Sequence, residues 1–172
     1  MDFHKKNGFT IIELMVTLAV LAIIFAIAAP SFSGLTERRK LNGAAEKLFT
    51  DLLFAKTEAI KRNTSIRVSF TGNGATWCYG LAVNSACDCT ASDCTIDGVL
   101  HVTNQDEFEG ILVDASSTLD DASTTFTPLR GAASTGHLQF TTQSGLDMGA
   151  VVSAFGRVRL CSDTGFDLAD CP

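Results

Sequence analysis

Two hydrophobic periods divide the chain. From Ile11 to Ala29 the side chains are apolar apart from Thr17 and one carboxylate, Glu13. Nineteen helical residues span about 28 Å, close to the thickness of a hydrocarbon core. Beyond Pro30 the pattern turns amphipathic, with Leu41, Ala45, Leu48, Leu52, Ala55 and Ala59 recurring at steps of three and four. Opposite that stripe lie Arg38, Arg39, Glu46, Lys47, Asp51, Lys56, Glu58, Lys61 and Arg62. The pattern predicts one long helix from about Phe9 to about Arg62, bent where Pro30 deletes a backbone donor and stopped at Asn63. After Asn63 the period becomes alternating at Ile66, Val68 and Phe70, at Leu138 and Phe140, and at Val158 and Leu160, which predicts short β-strands. Gly72-Asn73-Gly74 signals a turn, and the Ser- and Thr-rich stretches 115–125 and 132–136 read as loops. The predicted class is α+β, with antiparallel sheet packed on the amphipathic half of the helix. It divides into a leader (1–8), an apolar helix half (9–30), an amphipathic half (31–63) and a β-rich globular part (64–172).

The segment before the apolar run is short and polar and carries Lys5 and Lys6, whereas no cation follows the run at once. By the positive-inside rule this predicts a cytoplasmic N-terminus, a single pass through the inner membrane and an exported C-terminal part. A cleaved secretory signal would have small residues after its apolar core, for which Ala28-Ala29-Pro30 is a poor substitute; an uncleaved signal anchor is the other plain reading. Glu13 is informative because a carboxylate inside an apolar segment costs several kcal/mol unless it is paired or neutralised. Its expected partner is a terminal amine at Phe9. A carboxylate resting near the headgroups is the alternative.

The run Gly8-Phe9-Thr10-Ile11-Ile12-Glu13-Leu14 resembles the type IV prepilin signature almost residue for residue. In that family a prepilin peptidase cuts after the glycine and methylates the new terminus, which implies cleavage between Gly8 and Phe9 and N-methylation of Phe9. The resemblance also implies that Glu13 pairs with a neighbouring subunit and sets axial register, and that the fold is type IV pilin-like. Ala55–Asn63 followed by Ser65–Phe70 is similar to the helix-to-strand passage of the FimT/FimU minor pilins and GspH pseudopilins. Trp77–Val83 and Phe126–Gly131 resemble later blocks of the same families, while 84–125 matches them loosely. The implied partners are other pilins in a filament, the peptidase and the inner membrane, with a periplasmic head that later reaches the cell surface in a pilus.

Charge and cysteine content sharpen this picture. Without Met1–Gly8 the chain has 11 basic and 18 acidic residues, and eight of the cations lie between Arg38 and Arg67. From Val68 onward only Arg130, Arg157 and Arg159 face thirteen acids, which excludes a general polyanion binder. All six cysteines lie beyond the apolar run, an even number in the part that would be exported, which points to disulfides. Cys161 and Cys171 are expected to close a C-terminal loop. Cys78, Cys87, Cys89 and Cys94 allow three pairings, and the Cys87-Asp88-Cys89…Cys94 cluster weakly suggests zinc, although the paired spacing of structural zinc sites is missing.

No nucleophile–base motif, phosphate-binding glycine loop or HExxH run occurs, the histidines are His4, His101 and His137, and neither an enzyme nor a cofactor is expected. Asp106-Glu107-Phe108-Glu109 and Asp120-Asp121 read as solvated loop acids. In Phe155-Gly156-Arg157-Val158-Arg159-Leu160-Cys161, strand geometry would put Arg157 and Arg159 on one face about 6–7 Å apart, near the phosphate repeat of nucleic acid. Surface ion pairs within an acidic domain are the plainer use of these arginines. The GRxR pattern resembles the DNA-contacting tail of FimT-type minor pilins, which implies capture of double-stranded DNA for natural transformation. The function expected is a minor pilin that primes or tips a type IV pilus. A GspH-like pseudopilin of type II secretion and a non-filament membrane-anchored binding domain are the alternatives.

Overall fold

The computed structural model describes residues 9–114, 117 and 123–172, and within these the side chains of 28–33 are outside the description. One helix, α1 (Ile11–Arg62), continues through Pro30. The chain forms two compact units, Met1–Thr36 and Glu37–Pro172. In the first, every described side chain from Phe9 to Ile27 is exposed, as expected of an apolar surface built for a non-aqueous neighbour. Among the described residues no helix is long and apolar enough to cross a membrane. The run with described side chains stops at Ile27, short of Ala28 and Ala29, which complete the nineteen-residue stretch.

The second unit takes in the helix from Glu37. Among the described residues it holds ten strands: β1 (Ile66–Asn73), β2 (Thr76–Val83), β3 (Thr95–Ile96), β4 (Val99–Leu100), β5 (Val102–Asn104), β6 (Ile111–Val113), β7 (Ser123–Phe126), β8 (Gly136–Thr142), β9 (Asp147–Val152) and β10 (Val158–Cys161). They make two four-stranded sheets, ordered β5-β2-β1-β7 and β10-β9-β8-β6, and a β3–β4 hairpin. Every ladder is antiparallel. Asn63, at φ 52°, supplies the left-handed residue that ends α1. The Gly72-Asn73-Gly74 signal is the β1–β2 hairpin, in which Asn73 faces Thr76. Ser123–Thr125, where Ser and Thr content suggested a loop, instead belongs to strand β7. Its β-branched Thr124 and Thr125 suit a pleated surface, and Thr124 and Phe126 are fully buried.

A single buried cluster joins α1 to both sheets. From the helix come Leu41, Ala44, Ala45, Leu48, Leu52, Ala55 and Ala59, each 0–2% exposed. Ile66, Val68, Tyr79 and Phe126 come from one sheet, and Phe140, Met148, Ala150 and Val152 from the other. Trp77 locks the sheets together, its ring 4.9 Å from Phe140 and its Nε1–H donating to the Ile111 carbonyl at 2.9 Å. The Tyr79 hydroxyl donates to Asp51 at 2.8 Å, and Lys47 holds the same carboxylate at 2.6 Å. Burial, reinforced by the Asp51 charge, pushes the Tyr79 phenol well above its usual range and keeps it a donor.

The polar face of α1 is less solvated than its pattern suggests. Arg38 donates to the Gly165 carbonyl and stacks 4.5 Å over Phe166, Lys40 donates to the Glu109 carbonyl at 3.0 Å, and Lys56 to the Gly156 carbonyl at 2.9 Å. Three loops thus end their backbone acceptors on helix cations. Glu58, placed on the solvent face by the periodicity, is buried and paired with Arg62 and Lys61, and Arg62 reaches on to Asp97.

Two predictions follow from this packing. Gly156 has φ +65°, and a Cβ there would lie 1.8 Å from the Gly131 carbonyl oxygen, so Gly156→Ala is expected to lower unfolding free energy by about 2 kcal/mol or more. Chemical denaturation measures this, and a wild-type midpoint would contradict it. Hydrogen bonding from Arg62 holds the Glu58 carboxyl below its ordinary value. A depressed carboxyl contributes stability that is complete above the unfolded pKa of about 4.3 and is lost as pH falls through the folded value. Glu58→Gln should therefore flatten the acid limb of the stability–pH profile; an unchanged limb would exclude the pair as its source.

Candidate functional sites near Glu13 and Arg157

Phe9 is 85% exposed, and the helix begins directly after Thr10. The Thr10 amide and hydroxyl both donate to Glu13 Oε2 at 2.8 Å, and the Glu13 amide donates back to Thr10 Oγ1 at 3.3 Å. This reciprocal arrangement is a capping box, which satisfies helix-end donors that have no intrahelical acceptor. Within one chain, Glu13 is thus bonded to Thr10 and leaves Oε1 without a described bond. Thr10 had no role in the sequence reading, although the Thr-x-x-Glu spacing ahead of an apolar run signals it. Gly8 lies outside the described residues, as do His4, Asp120 and Asp121.

Arg157 leads into β10 from a tight turn in which the Gly156 amide donates to the Ser153 carbonyl at 2.7 Å and the Ser153 amide to the Arg157 carbonyl at 3.0 Å. Its side chain is exposed. Val158 and Leu160 pack against the core, so alternation turns Arg157 and Arg159 to the other face. Their environments differ. Arg159 is half-buried, donates Nη2 to the Asp170 carbonyl at 3.2 Å, and keeps Nη1 buried with no partner among the described residues. It holds down the tail that the Cys161–Cys171 disulfide closes. With a separation of ten residues, that closure stabilises by about 2–3 kcal/mol in the chain-entropy picture.

A neighbouring cation comes from a different loop. The 127–132 turn abuts the 153–157 turn through the Gly131–Gly156 contact and an Ala133 amide to Ala154 carbonyl bond of 3.1 Å. Arg130, at φ 62°, is exposed on it. Beside the two arginines stand Leu129 and Phe155, 79% and 87% exposed. The patch therefore combines two solvent-facing guanidiniums with two exposed apolar groups. Arg130 was legible only as a residue type; a separation of 27 positions hid its neighbour.

The remaining chemistry-bearing residues serve the scaffold. Cys78 pairs with Cys89 and Cys87 with Cys94, which fastens the 84–101 segment to β2 and leaves no thiolate for a metal at Cys87, Asp93 and Cys94. Gly80 makes room for this, since a Cβ there would lie 2.3 Å from the Cys94 sulfur. Asp147 and Asp163 approach Cys171, but that sulfur is oxidised and both carboxylates accept protein bonds, among them one from Gln139 Nε2 to each at 2.7 and 3.0 Å. His101 stacks on Phe54 at 5.2 Å, and His137 is buried. Asp106 and Glu107 lie in a 3₁₀ turn whose cap is Asn104.

Comparison with known proteins agrees with this geometry. The family model described as Type II transport protein GspH matches residues 44–164, and the prokaryotic N-terminal methylation motif matches 3–29. The chain is similar to "Prepilin peptidase-dependent protein A" of Clostridium perfringens, 34% identical over 84 residues, and to "Pilin-like protein PilA1" of Thermus thermophilus, 33% identical over 70. The matches cover 46% and 41% of this chain, and span 59% and 44% of those relatives. Its fold is similar to that of the minor pseudopilin EpsH of Vibrio cholerae, with TM-score 0.53 and 13% identity over 73% of this chain and 99% of that one. The type IV minor pilin FimU of Pseudomonas aeruginosa gives TM-score 0.52 and 20% identity, covering 73% and 91%. With the family model spanning most of the chain and a methylation motif ahead of it, the protein belongs to the GspH family of pilin-like, structural and non-enzymatic proteins.

Proposed function

We propose that the chain is a minor pilin of a type IV pilus, anchored in the inner membrane by its apolar helix half with the disulfide-bonded head in the periplasm, and later carried in the filament. The observation that carries this reading is the methylation motif over residues 3–29, with the Glu13 capping box opening α1 beside the Gly8–Phe9 cleavage position. The capping box partners Glu13 within the subunit, and Oε1 remains to take the methylated amine of a neighbouring Phe9. Prepilin peptidase and other pilins are the partners. A tip or priming position suits a subunit whose likeness is to minor pilins and pseudopilins.

The same reading includes capture of double-stranded DNA on the Arg157 face. The structure supports a revised residue set: Arg157 with Arg130 toward the phosphates, and Arg159 bracing the tail. With few cations in an acidic head, binding would be weak per subunit and steeply salt-dependent. A GspH-like role in type II secretion is the second reading, favoured by the family description and the EpsH-like fold. Deleting the chain separates them: loss of pilus retraction or DNA uptake supports the first, loss of protein secretion the second.

Mass spectrometry of the mature protein should find N-methyl-Phe9, whereas an intact Met1 leader would contradict processing. Glu13→Ala should insert in the membrane yet enter sheared filaments several-fold less well; wild-type incorporation would make the carboxylate dispensable. For DNA, Arg157→Ala and Arg130→Ala should each weaken duplex binding and reduce the salt slope by about one, and unchanged affinity in both would remove this face from the proposal.

A further inference from the structure

Nearly every half-buried cation of the head is tied to an acceptor of its own domain: Lys56 to a loop carbonyl, Arg62 to Glu58 and Asp97, Arg159 to the tail. Arg67 differs. It lies half-buried on β1, cross-strand from Thr125 of β7, and its one described bond runs from Nε to Ser123 Oγ at 3.0 Å. The other four guanidinium N–H groups have no protein partner among the described residues. Arg67 lines a groove of about 460 Å³, whose remaining lining is Ser123, Thr125, Thr127, Ser134 and two alanines, with no described acid in it.

The groove floor is held by backbone as well as side chains. The Ser134 amide donates to the Thr125 carbonyl at 3.2 Å, the Thr125 amide to Ser134 Oγ at 2.9 Å, and Thr127 Oγ1 to the Ala132 carbonyl at 3.1 Å. A guanidinium with a free fork, set among hydroxyls already ordered by a β-ladder, has the donors that a tetrahedral oxyanion takes from several directions. The groove volume exceeds what an inorganic ion fills and falls in the range of small-molecule sites.

We propose that this groove binds a phosphate monoester of mononucleotide or sugar-phosphate size, with Arg67 forking the phosphoryl oxygens, the Thr125 hydroxyl completing their shell, and the ester's organic part lying along Ala132 and Ala133. The site borders the Arg130–Arg157 patch, sharing the 127–133 segment with it, but it uses none of that patch's arginines and is independent of the filament reading. It requires no reaction: the ligand is bound and released unchanged.

The test is amide-resolved NMR of the full chain in detergent micelles, titrated in separate arms with inorganic phosphate, a nucleoside 5′-monophosphate, the same nucleoside without phosphate, and a short duplex. The expected result is saturable shifts at Thr125 and Ser134 with the monophosphate at a Kd of about 1 mM or below, weaker shifts with inorganic phosphate and none with the nucleoside. Arg67→Gln keeps a donor toward Ser123 and should retain the wild-type spectrum while weakening the monophosphate about tenfold, or about 1.4 kcal/mol. Thr125→Val, which preserves the β-branched shape, should weaken it to a lesser degree. No saturation by about 20 mM monophosphate overturns the proposal. So do equal affinity in Arg67→Gln, equal shifts with the bare nucleoside, or saturation of the same amides by duplex at lower phosphate concentration than by the monoester.

Discussion

The buried stripe of α1 from Leu41 to Ala59 is the constraint on which the head depends. Four of its seven members are alanines, and small side chains on that face let sheet residues as large as Tyr79, Phe126 and Phe140 be fully buried in the same cluster. A leucine fully withdrawn from water contributes about 2 kcal/mol, so Leu41, Leu48 and Leu52 together outweigh any surface ion pair in the molecule. Polar contacts then refine the seat that packing creates. Arg38, Lys40 and Lys56 fasten three loops by their carbonyls, and Asp51 accepts the buried Tyr79 hydroxyl.

This division explains how one helix serves two environments. Up to Ile27 the described side chains are exposed and, apart from Thr10, Glu13 and Thr17, apolar, and the Thr10–Glu13 box closes the polar end. From Leu41 the same helix is the centre of a disulfide-bonded fold. The loops that carry the exposed Arg130 and Arg157 are fixed through the Gly131–Gly156 contact and the Lys56 bond, so the candidate binding face is positioned by the helix as well as by the sheets.

Much of this was legible in the sequence where periodicity and local motif suffice. The helix end at Asn63, the β1–β2 hairpin and the six named stripe residues are local patterns, and the structure places them accordingly. What was not legible depends on contacts distant in sequence. Glu58 reads as a solvent-facing acid until the fold buries it beside Arg62, which Asp97 also holds, and Ser123–Thr125 reads as a loop until β1 offers it a ladder. Arg157 lies just ahead of β10 and Arg159 within it, yet only a tail returned by Cys161–Cys171 shows that Arg159 is engaged. Pairing among the four central cysteines was likewise beyond composition, because three connectivities fit the same spacing.

If the stripe is the foundation of the head, its backbone must be as protected as the strands it holds. Native-state hydrogen exchange on the full chain in detergent addresses this directly. The amides of Leu41–Ala59 should exchange only through global unfolding of the head, with the same opening free energy and denaturant slope as Val68 in β1 and Tyr79 in β2. Exchange of the helix amides at markedly lower opening free energy, while the strands stay protected, would show that the sheets stand without the helix and would contradict the account.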